Sequence, residues 1–134
     1  MKTHFSPKNN PRVIIIQKLY GKIFNNEENL SFPKHRFKKF IKDVVLGSIE
    51  RNELIMNELE TKLGHEFSFN NLDKVFQTIL TAATYELLYK PNLSLNIIIK
   101  EYLNSSNFFL ENSQTKYLNA LLDNIGKKLR SKNA

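Results

Sequence analysis

Apolar residues recur every three or four positions along almost the whole chain, and no stretch alternates cleanly between apolar and polar residues. A spacing of three and four matches the turn of an α-helix, whereas alternation is typical of a half-buried strand. Residues 76–88 are apolar around most of the helix circumference, which is typical of a helix in the middle of a bundle. The sequence therefore predicts an all-α fold, a single-domain helical bundle of about six to seven helices.

Prolines, glycines and polar loops divide this pattern into helices. Asn10 is a common N-cap residue and Pro11 suits the first helical position, so the first helix should begin there. Pro33 is expected to open the second helix, Gly47 to interrupt or kink it, and Gly64 to end the third. The last helix should begin near residue 112 or 113.

The first and last helices each show an apolar and a polar face. In the first helix, the residues expected to face the core are Ile16, Leu19, Tyr20 and Ile23. In the last helix, the polar face carries side chains at steps of three or four residues: Lys116, Asn119, Asp123, Lys127 and Arg130. We expect this polar stripe to face solvent.

The chain carries a formal net charge of +7, and the charge is unevenly placed. Residues 1–26 contain five Lys or Arg residues and no acid, whereas residues 48–66 carry five Glu residues against two cations. A strongly basic balance favours a polyanionic partner such as RNA. We expect residues 1–10 to form a flexible basic arm, followed by one helical RNA-binding domain over residues 11–134.

The sequence offers little for catalysis or metal binding. It has no cysteine, and His4, His35 and His65 are too far apart in sequence to form a ligand motif. Its four glycines are scattered, which argues against a glycine-rich nucleotide loop. The carboxylates of residues 48–66 are spaced like an ordinary solvated helix face. We therefore expect no enzyme activity, no metal and no cofactor.

No segment predicts export or membrane insertion. The apolar run near the start of the chain, residues 13–16, ends after four residues at Gln17 and Lys18. A signal peptide or a membrane span needs a much longer run. The expected location is the cytoplasm, without membrane contact.

Two parts of the chain supply the groups that bind single-stranded RNA, namely cations for its phosphates and planar side chains on which unpaired bases stack. Tyr20 and Tyr117 would be the planes, and Asn119 would read a base edge. The candidate RNA-binding residues are Lys2, Lys8, Arg12, Lys18, Tyr20, Lys116, Tyr117 and Asn119. The plainer alternative is that the lysines only keep the protein soluble and that Tyr20 belongs to the core.

Four short motifs follow one another along the chain, each on a predicted helix. They are Arg12 with Gln17-x-Leu19-Tyr20, then Tyr85-Glu86-Leu87, then Ile99-x-Glu101, and finally Lys116-Tyr117-x-Asn119 with Leu122-Asp123. In this order and spacing they resemble the NusB family of bacterial transcription antitermination factors, over about residues 11–126.

The sequence also departs from the family pattern. Thr81, Lys100 and Ala120 stand where the family usually has Arg, Asn and Gly. The consecutive arginines that often precede the first helix of the family are reduced to scattered cations. RNA affinity would therefore be lower, or RNA binding would rely more on the cations that follow the first loop, which are Lys34, Arg36 and Lys38.

The resemblance implies a fold of two packed three-helix units and a role in transcription. The protein would pair with the ribosomal protein NusE, bind the boxA element of nascent ribosomal RNA as a single strand, and act in the RNA polymerase antitermination complex. Glu86 would meet a cationic residue of NusE, with Tyr89 and Lys90 near the rim of that contact. The alternative for Glu86 is an exposed pair with Lys90, four residues further on.

Two other roles stay open at this point. The chain could be a stand-alone copy of the NusB-like domain that precedes the catalytic part of some ribosomal RNA cytosine methyltransferases. It could also be a helical adaptor whose basic face only solubilises it. Binding to a boxA-like strand separates the adaptor from the other two roles, and binding to NusE separates the antitermination factor from the methyltransferase relative.

Overall fold

The computed structural model describes residues 9–25 and 29–130, and within these ranges it contains six α-helices and no strand. The helices are α1 (Pro11–Phe24), α2 (Lys38–Glu50), α3 (Asn52–Leu63), α4 (Lys74–Tyr89), α5 (Leu95–Ser106) and α6 (Asn112–Leu129). The prediction of an all-α bundle is confirmed. Lys2, Lys8 and most of the predicted basic arm lie outside the described residues.

Helix α4 lies at the centre of the bundle, as the sequence predicts. It packs against each of the other five helices, and every residue from Phe76 to Leu87 is buried. Helices α4, α5 and α6 pack on one another, while α1 and α2 pack together and cover a second side of α4. Helix α3 completes the bundle against α4 and α6. A helix surrounded in this way has to be apolar on nearly all sides.

The start of α1 is fixed by local sequence. The Asn10 side chain accepts hydrogen bonds from the backbone N–H groups of Arg12 (2.9 Å) and Val13 (3.2 Å), and Pro11 occupies the first helical position. The same Asn10 oxygen accepts a hydrogen bond from Ser105 Oγ at 3.3 Å, and both residues are buried. The predicted N-cap is therefore confirmed, and it also joins α1 to the last turn of α5.

The second helix begins later than the sequence predicts. Pro33 does not open it, because residues 33–37 form a turn in which His35 Nδ1 accepts a hydrogen bond from the Phe37 N–H at 2.9 Å. Helix α2 then begins at Lys38 and continues through Gly47 to Glu50. The predicted interruption at Gly47 is wrong. Glycine is needed there because a Cβ atom would overlap the Tyr85 ring.

The end of α1 is also more exposed than predicted. Tyr20 and Ile23, which were expected in the core, are 39% and 50% exposed. The helix is covered through Leu19, but Ile23 lines an open cavity of about 300 Å³ whose other walls include the polar Thr78 and Thr81. The apolar period of α1 therefore continues past the point at which its neighbours can bury it.

Two cations at the C-terminal end of α6, Lys128 in its last turn and Arg130 just after it, close the ends of other helices. Lys128 Nζ donates a hydrogen bond to the Lys62 carbonyl oxygen at 2.8 Å, near the end of α3. The Arg130 guanidinium donates to the carbonyl oxygens of Leu87 (3.0 Å) and Lys90 (2.9 Å) at the end of α4. Carbonyl groups in the last turn of a helix, such as those of Lys62 and Leu87, lack partners within the helix, so a cation satisfies them well. Arg130 is therefore half-buried rather than part of an open polar stripe.

The described part of the chain holds no helix long and apolar enough to cross a membrane. Nor does it hold any group of three or more His, Asp or Glu side chains placed to bind a metal ion.

Candidate nucleic-acid interface

A buried ion pair joins the first and second of the four sequence motifs. Arg12 Nε and one terminal nitrogen donate to the two carboxylate oxygens of Glu86, at 3.1 and 2.7 Å. The Tyr102 hydroxyl donates to Glu86 Oε2 at 2.5 Å, and Glu86 is 0% exposed. This two-point geometry gives strong, directional hydrogen bonds between guanidinium and carboxylate. The pair therefore links α1 to α4 and α5 in the core.

Aromatic rings enclose the same guanidinium. The Arg12 Cζ atom lies 5.0 Å from the centroid of the Phe40 ring and 5.4 Å from that of the Tyr102 ring. Glu101 is a weaker charged neighbour at 4.0 Å. Cation–π contacts of this kind add to the hydrogen bonds when the cation is removed from water. Helix α2, through Phe40, is thus held by the same cation.

These contacts correct two predicted surface roles. Arg12 is buried and its donors face Glu86, so the structure argues against a direct contact between Arg12 and RNA phosphates. Glu86 is fully buried behind Arg12 and Tyr102, so it does not offer a carboxylate to a partner protein. The alternative pair of Glu86 with Lys90 is also wrong, because Lys90 is paired with Asp43.

The buried cluster shifts the acidity of its members. Burial raises the pKa of the Tyr102 hydroxyl well above its ordinary value, and the negative charge of Glu86 raises it further. Burial alone would lower the pKa of Arg12, but its interactions with Tyr102 and with the Glu86 carboxylate outweigh this effect and raise that pKa. The arginine is therefore charged at any pH at which the protein is folded.

The start of α6 presents three of the predicted RNA-binding side chains to solvent. Lys116 and Asn119 are exposed, and Tyr117 is 46% exposed. The Tyr117 ring packs against Phe76 of α4 with centroids 5.5 Å apart, which fixes one face and leaves part of the ring open. A capping box of Glu111 and Gln114 begins the helix. The side chains therefore stand on a well-defined helix end.

The start of α1 and the start of α6 lie at the same end of the bundle. Asn10 contacts Ser105, and the chain turns directly after this residue, because the Leu110 N–H donates to the Ser106 carbonyl at 2.8 Å. Helix α6 begins two residues later, at Asn112. Asn10, the N-cap of α1, thus lies at the end of the bundle where α6 begins.

Lys18 and Tyr20 lie further along α1. With a rise of about 1.5 Å per residue, they stand roughly 10 to 14 Å along the helix axis from Pro11. Lys18 is half-buried, and its Nζ lies 5.9 Å from the centroid of the Phe32 ring. Tyr20 is partly exposed. The predicted RNA-binding residues of α1 therefore do not form one compact cluster.

Tyr89 and Lys90, the predicted rim of a partner contact, are half-buried at the end of α4. The Tyr89 ring lies 5.0 Å from the Tyr85 ring, and Arg51 Cζ lies 4.6 Å from the Tyr89 centroid. Lys90 Nζ lies 5.7 Å from the Phe40 centroid while it pairs with Asp43. Both side chains are held in place by their neighbours.

A family model described as the NusB family matches residues 9–127. The chain belongs to the NusB family. This match includes all four motifs, and it takes in Arg12, Glu86 and the start of α6 together. Membership fits the observation that the first two motifs meet in one buried ion pair.

Similar curated proteins carry the same family name. A transcription antitermination protein NusB from Sphingopyxis alaskensis is 30% identical over 69% of this chain and 62% of its own length. One from Novosphingobium aromaticivorans is 32% identical over 68% of this chain and 62% of its own length. The matched part thus spans less than two thirds of these relatives.

The solved structure of T. maritima NusB has the same fold. It superposes with a TM-score of 0.79 and 24% sequence identity, and the match covers 99% of this chain and 97% of that one. The helical arrangement of the described residues is therefore shared by a solved NusB structure.

Breaking the buried pair should unfold part of the population. Arg12→Met leaves the Glu86 carboxylate buried without its cation, and we expect a loss of about 3 to 5 kcal/mol in the free energy of unfolding. Adding Glu86→Gln removes the stranded charge but keeps an acceptor for Tyr102, so the double variant should regain part of that loss. Urea unfolding followed by circular dichroism measures both. Arg36→Met, at an exposed arginine, is the control and should change stability by less than about 0.5 kcal/mol. Equal losses of unfolding free energy in Arg12→Met and Arg36→Met would contradict this account.

Alkaline pH should weaken the fold through Tyr102. The pKa of Tyr102 is raised in the folded state. Its hydroxyl therefore contributes fully to the free energy of unfolding below about pH 10, and this contribution is lost as the pH rises through the raised pKa. The free energy of unfolding should therefore fall above about pH 10, by up to roughly 1.4 kcal/mol per pH unit from this group. Tyr102→Phe should flatten that fall, whereas Tyr117→Phe should retain it. Denaturant unfolding at several alkaline pH values provides the test, and parallel curves for wild type and Tyr102→Phe would refute it.

Proposed function

We propose that this protein is a transcription antitermination factor that binds boxA-type single-stranded RNA in nascent ribosomal RNA, together with the ribosomal protein NusE. It would act in the cytoplasm, within the RNA polymerase antitermination complex, by binding rather than by catalysis. The observation that carries this proposal is membership of the NusB family together with the exposed Lys116, Tyr117 and Asn119 of the last motif.

The start of α6 has the chemistry that an unpaired strand requires. Lys116 offers a mobile cation for a phosphate, and Asn119, three residues later, offers both a donor and an acceptor for a base edge. Tyr117 offers a half-open ring whose other side rests on Phe76. A ring that is already held in place loses little side-chain freedom when a base stacks on it. The three groups are therefore suited to a single strand rather than to a duplex.

The burial of Arg12 changes how RNA would be held. An arginine inside the core cannot neutralise a phosphate, so the charge would come from the exposed cations, most of which are lysines, and from the basic residues that precede α1. Lysine is a flexible point charge that binds phosphate without the fixed two-point geometry of arginine. We therefore propose that affinity depends strongly on salt and that base selection comes from Tyr117 and Asn119.

RNA binding should depend on the start of α6. Lys116→Ala should weaken binding of a boxA-like strand and reduce the slope of log affinity against log salt by about 0.7, the value for one single-strand phosphate contact. Tyr117→Ala should cost roughly 1 to 3 kcal/mol if a base stacks on the ring. Lys100→Ala, at an exposed lysine of α5, is the matched control and should leave both quantities near wild type. Fluorescence anisotropy across a salt series measures them. Unchanged binding by both α6 variants, with normal melting temperatures, would remove this site.

Partner binding is proposed to involve Tyr89 and Lys90, while Glu86 acts only from within the core. Glu86→Ala is unsuitable as a test, because it would strand Arg12 as a buried unpaired cation. The double variant Tyr89→Ala and Lys90→Ala should weaken binding to NusE by tenfold or more, since a fixed aromatic side chain is typical of interface hot spots. Ile97→Ala, at an exposed apolar residue of α5, serves as control. Calorimetry measures both affinities, and wild-type affinity in a folded double variant would exclude this surface.

These measurements also separate the alternative roles. A helical adaptor without RNA binding would leave all RNA titrations flat. A NusB-like ribosomal RNA-binding domain without antitermination activity would bind the strand but not NusE. The curated relatives described above are named antitermination proteins, which supports the proposed role over these two.

A further inference from the structure

A second basic surface lies away from the start of α6. Residues 34–42 carry five Lys or Arg residues and no acid, and all five are exposed. They are Lys34, Arg36, Lys38, Lys39 and Lys42. Like charges this close together repel one another unless something neutralises them. The surface is therefore more favourable when an anion covers it.

This surface borders a groove between α2 and the end of α4. The groove, here called the α2 groove, encloses about 820 Å³ and is lined in part by Arg36, Phe37, Lys39, Lys42, Tyr85 and Lys90. Its lining holds five cations and only two carboxylates, Asp43 and Glu50. Lys90 pairs with Asp43, and the Tyr85 hydroxyl donates to the same carboxylate at 3.4 Å. The lining as a whole is thus positive.

The groove continues towards the start of the chain. A second cavity of about 350 Å³ is lined by Asn9, Lys34, His35, Arg36 and Phe37. It shares Arg36 and Phe37 with the α2 groove, and Asn9 immediately precedes the cap of α1. The two cavities therefore form one path from the end of the basic N-terminal segment along α2.

An exposed ring stands where the two cavities meet. Phe37 is 39% exposed, because it lies in the turn before α2 rather than on the buried face of the helix. Arg36 Cζ lies 5.3 Å from its ring centroid, and the His35 ring lies 6.0 Å away. Cations that alternate with exposed planar groups are the pattern with which proteins bind single strands without sequence preference. An acidic protein surface would need the cations but not the ring.

We propose that the side of the α2 groove formed by Phe37, Lys39 and Lys42 binds single-stranded RNA next to the boxA element, as a second, sequence-independent surface that leaves Lys90 to the proposed NusE contact. This inference rests on the proposed function and extends it, because one strand held at the start of α6 would continue past Asn9 and Asn10 and along α2. Lys39 and Lys42, three residues apart on α2, would each contact a phosphate, and Phe37 would stack with a base. The protein would then hold a longer stretch of RNA than α6 alone can cover.

The test compares two RNA strands of different length. One is a boxA-like strand of about 12 nucleotides, within the range that one single-strand-binding domain covers, and the other carries an added uridine tract of similar length. Binding is measured by fluorescence anisotropy across a salt series. For the longer strand, Lys39→Gln/Lys42→Gln should lower the salt slope by about 1.4, which is two single-strand contacts, and should weaken binding roughly 10- to 30-fold at 0.1 M salt. The same variant should bind the short strand as wild type does.

Two controls match these changes. Lys62→Gln/Lys100→Gln removes the same charge outside the groove and should leave the difference between the two strands intact. Phe37→Leu keeps an apolar side chain but removes the plane, so it should weaken only the longer strand, by about fivefold or more. Phe108→Leu, at an aromatic residue that is also about 40% exposed, is its control.

Three outcomes of these measurements separate the role of the α2 groove from the proposed function. If wild type binds both strands and the groove variants behave like their controls, the α2 groove is not an RNA surface, although the proposed function stands. If the groove variants lose affinity for NusE while RNA binding is unchanged, the groove belongs to a protein partner and the inference is overturned. If wild type binds neither strand, the proposed function fails and this inference fails with it.

Discussion

The bond between Arg12 and Glu86 holds together parts of the chain that are far apart in sequence. Its carboxylate lies on the central helix, its guanidinium on the first, and the hydroxyl that completes it on the fifth. A buried ion pair seldom makes a protein more stable than a well-packed apolar cluster would, because both charges lose their water. However, any alternative packing that buries Arg12 or Glu86 without its partner has a high free energy. The pair therefore acts mainly to specify how α1, α4 and α5 come together.

The cations of the chain are divided between the interior and the surface, and this division decides where an anion can bind. A net charge of +7 suggests a broadly basic surface, but several cations are already used within the protein. Arg12 is paired in the core, Arg130 and Lys128 close helix ends, and Lys90 is held by Asp43. The exposed cations that remain include Lys116 and the run on α2. An anion would therefore meet positive charge in particular places rather than everywhere on the protein.

Local signals in the sequence predict most of the fold. The apolar period identifies the helices and the central position of α4, and the start of α1 follows from Asn10 and Pro11 because capping depends on neighbouring residues alone. The pairing of Arg12 with Glu86 could not be predicted from spacing, since 74 residues separate them. Periodicity also cannot show where a helix outruns its neighbours, and so it wrongly placed Tyr20 and Ile23 in the core.

The candidate site was predictable to a smaller extent. Lys116, Tyr117 and Asn119 are exposed as expected, because a polar stripe on an amphipathic helix normally faces solvent. The groove along α2 was not predicted from spacing, since it depends on the turn at residues 33–37 and on a glycine that admits the Tyr85 ring. In the sequence, only the high density of positive charge before Asp43 indicated a binding surface along α2.

Arg130 also has a consequence for how the protein is made. This residue supplies the donors for carbonyl groups at the end of α4, which belong to a segment 40 or more residues earlier in the chain. Since Arg130 follows Lys90 by 40 residues, the end of α4 is synthesised well before the side chain that supplies these donors. A nascent chain that has not yet reached residue 130 would lack the side chain that closes the central helix. A segment that is translated later therefore completes the end of a helix that was translated earlier.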